Sequence, residues 1–290
     1  MKTICFGEIL FDVFPDCEVL GGAPLNTAIH LSRLGAESII VSSIANDERG
    51  RRALSAIDEN GLSSCYISES SYPTGIADIK INRDNADYEF NNPCAWDDIK
   101  LGDDELKSLK DKGVDAVVFG SLALRSKENR NVLKALLCLG ASEVLYDVNF
   151  RKSFYSRALI EEFASYSTIL KFNEDEEMTI SSLFNVEVEA LPTFLLSQFS
   201  SLKLVMITRG DAGISLYSRE KAYFQNAYKS CFVDSVGAGD SVNAAFLYFY
   251  LRGFSIEKTL EKCAELASVV VSSKGATSPY PDGFIDNFLR

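Results

Sequence analysis

The sequence predicts an α/β protein with a mostly parallel central sheet, helices on both of its faces, and a small extra β-sheet set into the body. Three observations carry this. Short runs of β-branched and aromatic residues alternate with segments of helical period along the chain. Those runs are apolar at successive positions, so both faces of each strand expect a cover. Two stretches break the alternation, which marks an insertion.

In chain order, the strand-like runs are Ile4 to Phe6, Ser38 to Ile44, Val114 to Phe119, Val144 to Val148, Thr168 to Phe172 and Leu204 to Thr208. Between them, helical spacing runs over Ala23 to Leu34, Asp47 to Asn60, Asp103 to Lys112, Lys127 to Leu139, Ser156 to Ala164 and Glu174 to Phe184. Two more helices, Gly239 to Leu251 and Ile256 to Ser273, end the series, and the second carries an apolar stripe at Ile256, Leu260, Cys263, Ala264, Ala267, Val270 and Val271. The breaks are Ile9 to Phe14 and Cys65 to Trp96, where Ile76, Ile79, Ile81, Tyr88 and Phe90 stand among turn residues like hairpin strands. The body is therefore expected over residues 1–8, 15–64 and 97–290, and an inserted β lid over 9–14 and 65–96.

The chain has 290 residues, room for two ordinary domains or one large α/β domain with an insertion. Its longest apolar stretches, such as Ala116 to Phe119, fall far short of the roughly 20 residues that span a bilayer. Net charge is −12, from 29 Lys and Arg against 41 Asp and Glu, which repels polyphosphate backbones and argues against nucleic acid as a partner. Seven cysteines, with no C-x-x-C pair, read as reduced thiols without a zinc site. With a first strand giving way to Gly7 and Glu8 before any apolar signal core, they set the expectation of a cytoplasmic protein. One histidine, His30, leaves little room for a Ser-His-Asp triad or a multi-histidine metal centre, and on its helix it reads as a partly buried residue.

The segment from Asp234 to Asp240, D-S-V-G-A-G-D, follows a strand-like run, Tyr228 to Val233, and opens a helix. Gly237, Ala238 and Gly239 permit a tight turn, so successive N–H groups can converge at the helix start and hold a phosphoryl group. Asp240 is poorly placed to bind that anion and well placed to take the proton of a hydroxyl attacking it. Alone, the segment also fits an acid that complements a helix dipole. A dinucleotide fingerprint is incomplete here, and no G-x-x-x-x-G-K-[ST] occurs.

Near the N-terminus, Gly21-Gly22-Ala23-Pro24-Leu25-Asn26-Thr27-Ala28, with Gly7, Glu8 and Asp12, resembles the sugar-binding motif of the ribokinase-like (PfkB) carbohydrate kinases. Asp234 to Asp240 resembles that family's C-terminal signature, and the likeness continues through Asp147 to Arg151, the N-x-x-E of Asn173 to Glu176, and Thr208 to Gly213, in family order over almost the whole chain. The resemblance implies a ribokinase-like fold and phosphorylation of a sugar by ATP. Asp12, Gly21, Gly22 and Asn26 would bind the acceptor, although alone Asp12 reads as a solvated strand residue and Asn26 as a helix-face amide. Asp240 would be the base and the amides of Gly237, Ala238, Gly239 and Asp240 the anion hole. Arg151 would be a cation near the phosphate or the acceptor, and otherwise a surface ion pair. Thr208, Gly210 and Gly213 would line the nucleotide, with adenine near Ser268 to Ala276. Asn173 and Glu176 would organise Mg2+ through water, in keeping with that ion's reluctance to dehydrate. Lys274 to Ala276 and the Asp234 turn resemble the family's monovalent-cation (K+) loop.

Ser235 stands where the family usually has Thr, and Val242-Asn243 where it usually has Phe and a small residue. The G-G-A-P and D-V-N-F-R segments look most like the fructokinase branch, which makes fructose the leading acceptor. A sugar acid, 2-keto-3-deoxygluconate, would need a cation such as Arg83 or Arg151. A nucleoside would want stacking from Tyr88, Phe90 or Trp96. A sugar-binding regulator without turnover is the non-enzymatic alternative. The exposed apolar face of the lid, through Ile79, Ile81 or Phe90, is expected to pair two copies into a homodimer.

Overall fold

The computed structural model describes the backbone of residues 1–82 and 85–289, and the side chains of these except 80–82 and 85–88. Arg83 and the side chains of Ile81 and Tyr88 lie outside the described residues.

The strands are β1 (Lys2–Phe6), β2 (Leu10–Val13), β3 (Glu18–Gly21), β4 (Glu37–Ala45), β5 (Ile67–Ser70), β6 (Gly75–Asn82), β7 (Asn85–Phe90), β8 (Ala116–Gly120), β9 (Glu143–Asp147), β10 (Ile169–Asn173), β11 (Leu204–Thr208), β12 (Ile214–Tyr217) and β13 (Ala222–Gln225). The helices are α1 (Ala23–Arg33), α2 (Glu48–Glu59), α3 (Asp103–Lys112), α4 (Lys127–Leu137), α5 (Arg157–Ala164), α6 (Glu174–Phe184), α7 (Leu191–Gln198), α8 (Ala238–Tyr250), α9 (Ile256–Val270) and α10 (Phe284–Phe288). A nine-stranded sheet runs β13-β12-β11-β10-β9-β8-β1-β4-β5, parallel from β11 to β5, with β12 and β13 antiparallel at one edge. A separate four-stranded sheet runs β3-β2-β6-β7.

The continuous apolar runs are explained by two cores, one on each face of the large sheet. Ile4, Phe6, Val117 and Phe119 point into a core shared with Leu109, Leu133, Ile160 and Ile180 of α3 to α6. Cys5, Ala116 and Val118, the alternate positions, point into a second core shared with Leu25, Ala53, Phe246 and Leu260 of α1, α2, α8 and α9. None of the helices is long and apolar enough to cross a membrane among the described residues.

Sheet membership differs from expectation at two places. Glu18–Gly21, expected in the body, pairs antiparallel with β2 in the small sheet, because Cys17 O accepts from Phe14 N and turns the chain straight back. Ile67–Ser70, expected in the lid, pairs parallel with Ser42–Ala45 and extends the large sheet. The run Tyr228 to Val233 is no strand. Val233 N and Asp234 N donate instead to Val271 O at the end of α9, and Phe232 is 70% exposed, so this apolar run overhangs the cleft without a ladder. Trp96 is fully buried, stacked under Arg125 at 3.9 Å, and has no face left for a nucleoside. Ile79 is buried as well, so it adds nothing to an exposed lid face.

Candidate active site

A cavity of about 1500 Å³ lies beyond the carboxyl ends of β1, β9, β10 and β11, where open α/β sheets hold ligands. It brings together every site residue expected from the sequence. Asp12, Gly21, Gly22 and Asn26 line one end, together with Leu20, Ile79 and Phe90 of the small sheet and Phe14 just past β2. Arg151, Asn173 and Glu176 line its floor, and Thr208, Gly210 and Gly213 its far end beside Ser268 and Ala276. The loop from Gly237 to Asp240 lies between them.

That loop has the geometry of an anion hole. Gly237 caps α8 at a φ of 80°, and a Cβ there would stand 2.5 Å from Ala276 Cα, so glycine is required both by conformation and by contact. The first-turn amides of a helix have no carbonyl behind them. Ala238 N is the exception to the expected set of four, because it donates to Ser235 O at 3.2 Å; among the described residues the amides of Gly237, Gly239 and Asp240 have no such carbonyl partner. Asp240 is buried, and its Oδ2 accepts from Asn26 Nδ2 at 2.8 Å. Burial pushes its carboxyl up to about 6, against the lowering effect of the Asn26 hydrogen bond. Asn26 therefore orients the candidate base.

The far side of the loop is clamped by α1. His30, fully buried and held down at about 4 by that burial, donates from Nε2 to Ala276 O at 3.0 Å and accepts at Nδ1 from Tyr280. Arg33 donates to the carbonyls of Thr277 and Ser278. Asp234 accepts from Val236 N and Gly275 N, both at 3.0 Å, and so joins the two segments expected to form a cation loop.

Three groups at the site were given no role from the sequence, although Glu8 and Asp147 fall within its family motifs. Glu8 is buried beside Gly22, and its Oε2 has no hydrogen-bond partner among the described residues. Burial pushes this carboxyl up to about 7, and burial also lifts Asp12 to about 6, while the charge of Arg151 lowers both. Because the folded protein favours protonated Glu8, this contribution to stability is full below about pH 4.5 and is lost as pH rises through about 7. Glu8→Gln is expected to melt progressively higher than wild type across that window, and parallel melting profiles would contradict it. The other two groups are Lys171 and Asp147, a buried ion pair at 2.6 Å on the cavity floor, with Asn243 Nδ2 donating to the same Asp147 oxygen at 2.8 Å. A lysine inside the otherwise apolar strand Thr168 to Phe172 was the visible signal.

Glu176 forms a capping box with Asn173 and receives the N–H groups of Phe150 and Asn173 at 2.7 and 2.8 Å. Burial, then the charge of Asp147, raises its carboxyl. Among the described residues no three His, Cys, Asp or Glu side chains converge as a metal cage. The oxygens of Asn149, Asn173 and Glu176 on the cavity lining suit a hard cation that keeps most of its water.

The family model of the pfkB carbohydrate kinases matches residues 17–283. The chain is 30% identical over 263 residues to a fructokinase of Rhizobium leguminosarum bv. trifolii, covering 84% of this chain and 78% of that protein. It is 28% identical over 310 residues to fructokinase-1 of Zea mays, covering 96% and 94%. A fructokinase of Xylella fastidiosa, solved with bound ATP, superposes with a TM-score of 0.88 over 99% of this chain and 98% of that one, at 20% identity, which establishes the shared ribokinase-like fold. With the family model spanning nearly all of a chain whose glycine loop and buried aspartate face one cleft, the protein belongs to the pfkB family of carbohydrate kinases.

Proposed function

We propose that the protein transfers the terminal phosphoryl group of ATP to a hydroxyl of a neutral sugar, with fructose as the leading acceptor. One observation carries this reading: Asp240 stands buried at the start of α8, beside the amides of Gly237 and Gly239, with its carboxylate oriented by Asn26 toward the end of the cavity that Asp12 and Gly22 line. The acceptor lies at that end, and its hydroxyl gives its proton to Asp240 as it attacks. The amides of Gly237, Gly239 and Asp240 receive the charge that develops on the phosphoryl oxygens. Thr208, Gly210 and Gly213 hold the nucleotide, and Asn173 and Glu176 hold Mg2+ through water. Bound Mg2+ supplies neutralisation of the phosphate charge. The small sheet covers the acceptor and excludes water, which would otherwise compete with the sugar hydroxyl.

Glu8, Asp12 and Asp240 make the acceptor end rich in carboxyl groups, which favours a neutral sugar over an acid. Arg151, whose charge reaches all three, is what favours the second reading, a sugar acid such as 2-keto-3-deoxygluconate. The test is ADP release with ATP and Mg2+ across fructose, 2-keto-3-deoxygluconate and nucleosides. Fructose is expected to give the highest kcat/KM; preference for the acid moves the assignment to the second reading, and sugar binding without ADP release would make the protein a regulator.

K+ is proposed to bind where Asp234 meets Gly275, and activity is expected to rise when K+ replaces a bulky organic cation at equal ionic strength; equal rates would remove it. The small sheet is proposed to meet a second copy about a twofold axis. Light scattering is expected to report a dimer of the 32.0 kDa chain, and a fully active monomer at every dilution would contradict this. The seven free cysteines fit a reducing, cytoplasmic setting.

A further inference from the structure

Lys171 is the one charged residue of β10, and its ammonium lies buried on the cavity floor. Among the described residues its one acceptor is Asp147 Oδ2, so a group with three N–H donors uses one of them. An ion pair taken out of water is repaid only when its remaining donors are satisfied too, and an apolar pair in the same place costs less. The spare donors border open space. Nζ stands 3.2 Å from the point a Cβ on Gly239 would occupy, against the first turn of α8, and it is near enough to Asp240 for its charge to lower that carboxyl. Glycine at 239 thus leaves a gap between an ammonium and a row of helix amides.

We propose that Lys171 is a further catalytic residue of the phosphoryl transfer put forward above, on which this inference rests: its ammonium donates to a non-bridging oxygen of the group in flight. Asp147 and Asn243 hold that ammonium in position. The bond from the terminal phosphorus to the bridging oxygen of ATP breaks, with its electron pair going to ADP. The bond from the sugar oxygen to phosphorus forms, and the hydroxyl proton goes to Asp240. Lys171 meets the phosphoryl oxygens from the sheet side while the amides of Gly239 and Asp240 meet them from the helix side.

Lys171→Met alone strands Asp147 in the interior without its counter-ion, and unfolding would hide the answer. The test protein therefore combines Lys171→Met with Asp147→Asn, so that both charges go together and Asn243 can still donate to the amide oxygen at 147. This double variant is expected to melt cooperatively near the wild-type temperature and to bind ADP within about threefold of wild type, while kcat falls about a hundredfold or more. If Lys171 serves only to neutralise Asp147, removing both charges restores turnover to within about threefold of wild type, and that result overturns the proposal. Wild-type protein that binds ATP yet phosphorylates no acceptor is a different failure: it removes the reading of the site as a phosphoryl-transfer centre, and the role of Lys171 with it.

Discussion

Asp240→Asn is expected to lower kcat at least about a hundredfold while changing sugar affinity little. Asparagine keeps the size of the side chain and can still accept from Asn26 Nδ2, so the loop and the acceptor pocket stay in place. It cannot take a proton. In the wild type, kcat/KM should rise with pH through about 6, the value to which burial lifts this carboxyl, because only the ionised form is a base. The residual activity of the variant should lack that limb. A variant with near-normal turnover, or one whose pH profile keeps the limb, would take the proton-accepting role away from Asp240.

Gly237→Ala is expected to cost the protein about as much turnover, by a different route. The residue is left-handed at a φ of 80°, and a Cβ would meet Ala276 Cα at 2.5 Å and Ala276 O at 2.7 Å. Ala276 cannot easily withdraw, since His30 holds its carbonyl and Arg33 holds the next two residues. The glycine loop must move instead, and a displacement of about 1 Å in groups that receive transition-state charge is worth roughly a hundredfold in rate. Gly253→Ala is the control for loss of stability at a left-handed position outside the loop. Gly253 has a similar φ of 78° with nothing near its missing Cβ, so its alanine variant should lose roughly 1 kcal/mol of stability and no activity. Equal kinetic losses in both variants would show that a general loss of stability, and not the contact with Ala276, accounts for the effect at Gly237.

The body of the fold was legible because its physics is local. Runs such as Val114 to Phe119 and Leu204 to Thr208 are apolar on both faces, and only a sheet between two layers of helices hides both. The small sheet was half legible. Ile79 and Ile81 stand two apart, as strand residues on one face should, but nothing local in Glu18–Gly21 or Ile67–Ser70 states which of two sheets each will join; that is settled by partners far along the chain. Tyr228 to Val233 misled for the opposite reason, since aromatic and β-branched residues serve equally to line a cleft.

The site divides the same way. Gly237 and Gly22 stood out because backbone demands select glycine, and Asp240 because it follows them. Glu8, Asp147 and Lys171 carry no such signature: their importance comes from burial and from one another, across β1, β9 and β10. His30 was readable as a partly buried helix residue, while its full burial and its hold on Ala276 depend on a loop 246 positions away.

The most direct test of the account follows the phosphorus itself. Wild-type protein given fructose, Mg2+ and ATP labelled in its terminal phosphate is predicted to move the label to the sugar, one sugar phosphate for each ADP released. ADP accompanied by labelled inorganic phosphate, with no label on the sugar, would contradict the account, because Asp240 and the glycine loop would then be activating water in a cleft argued here to exclude it.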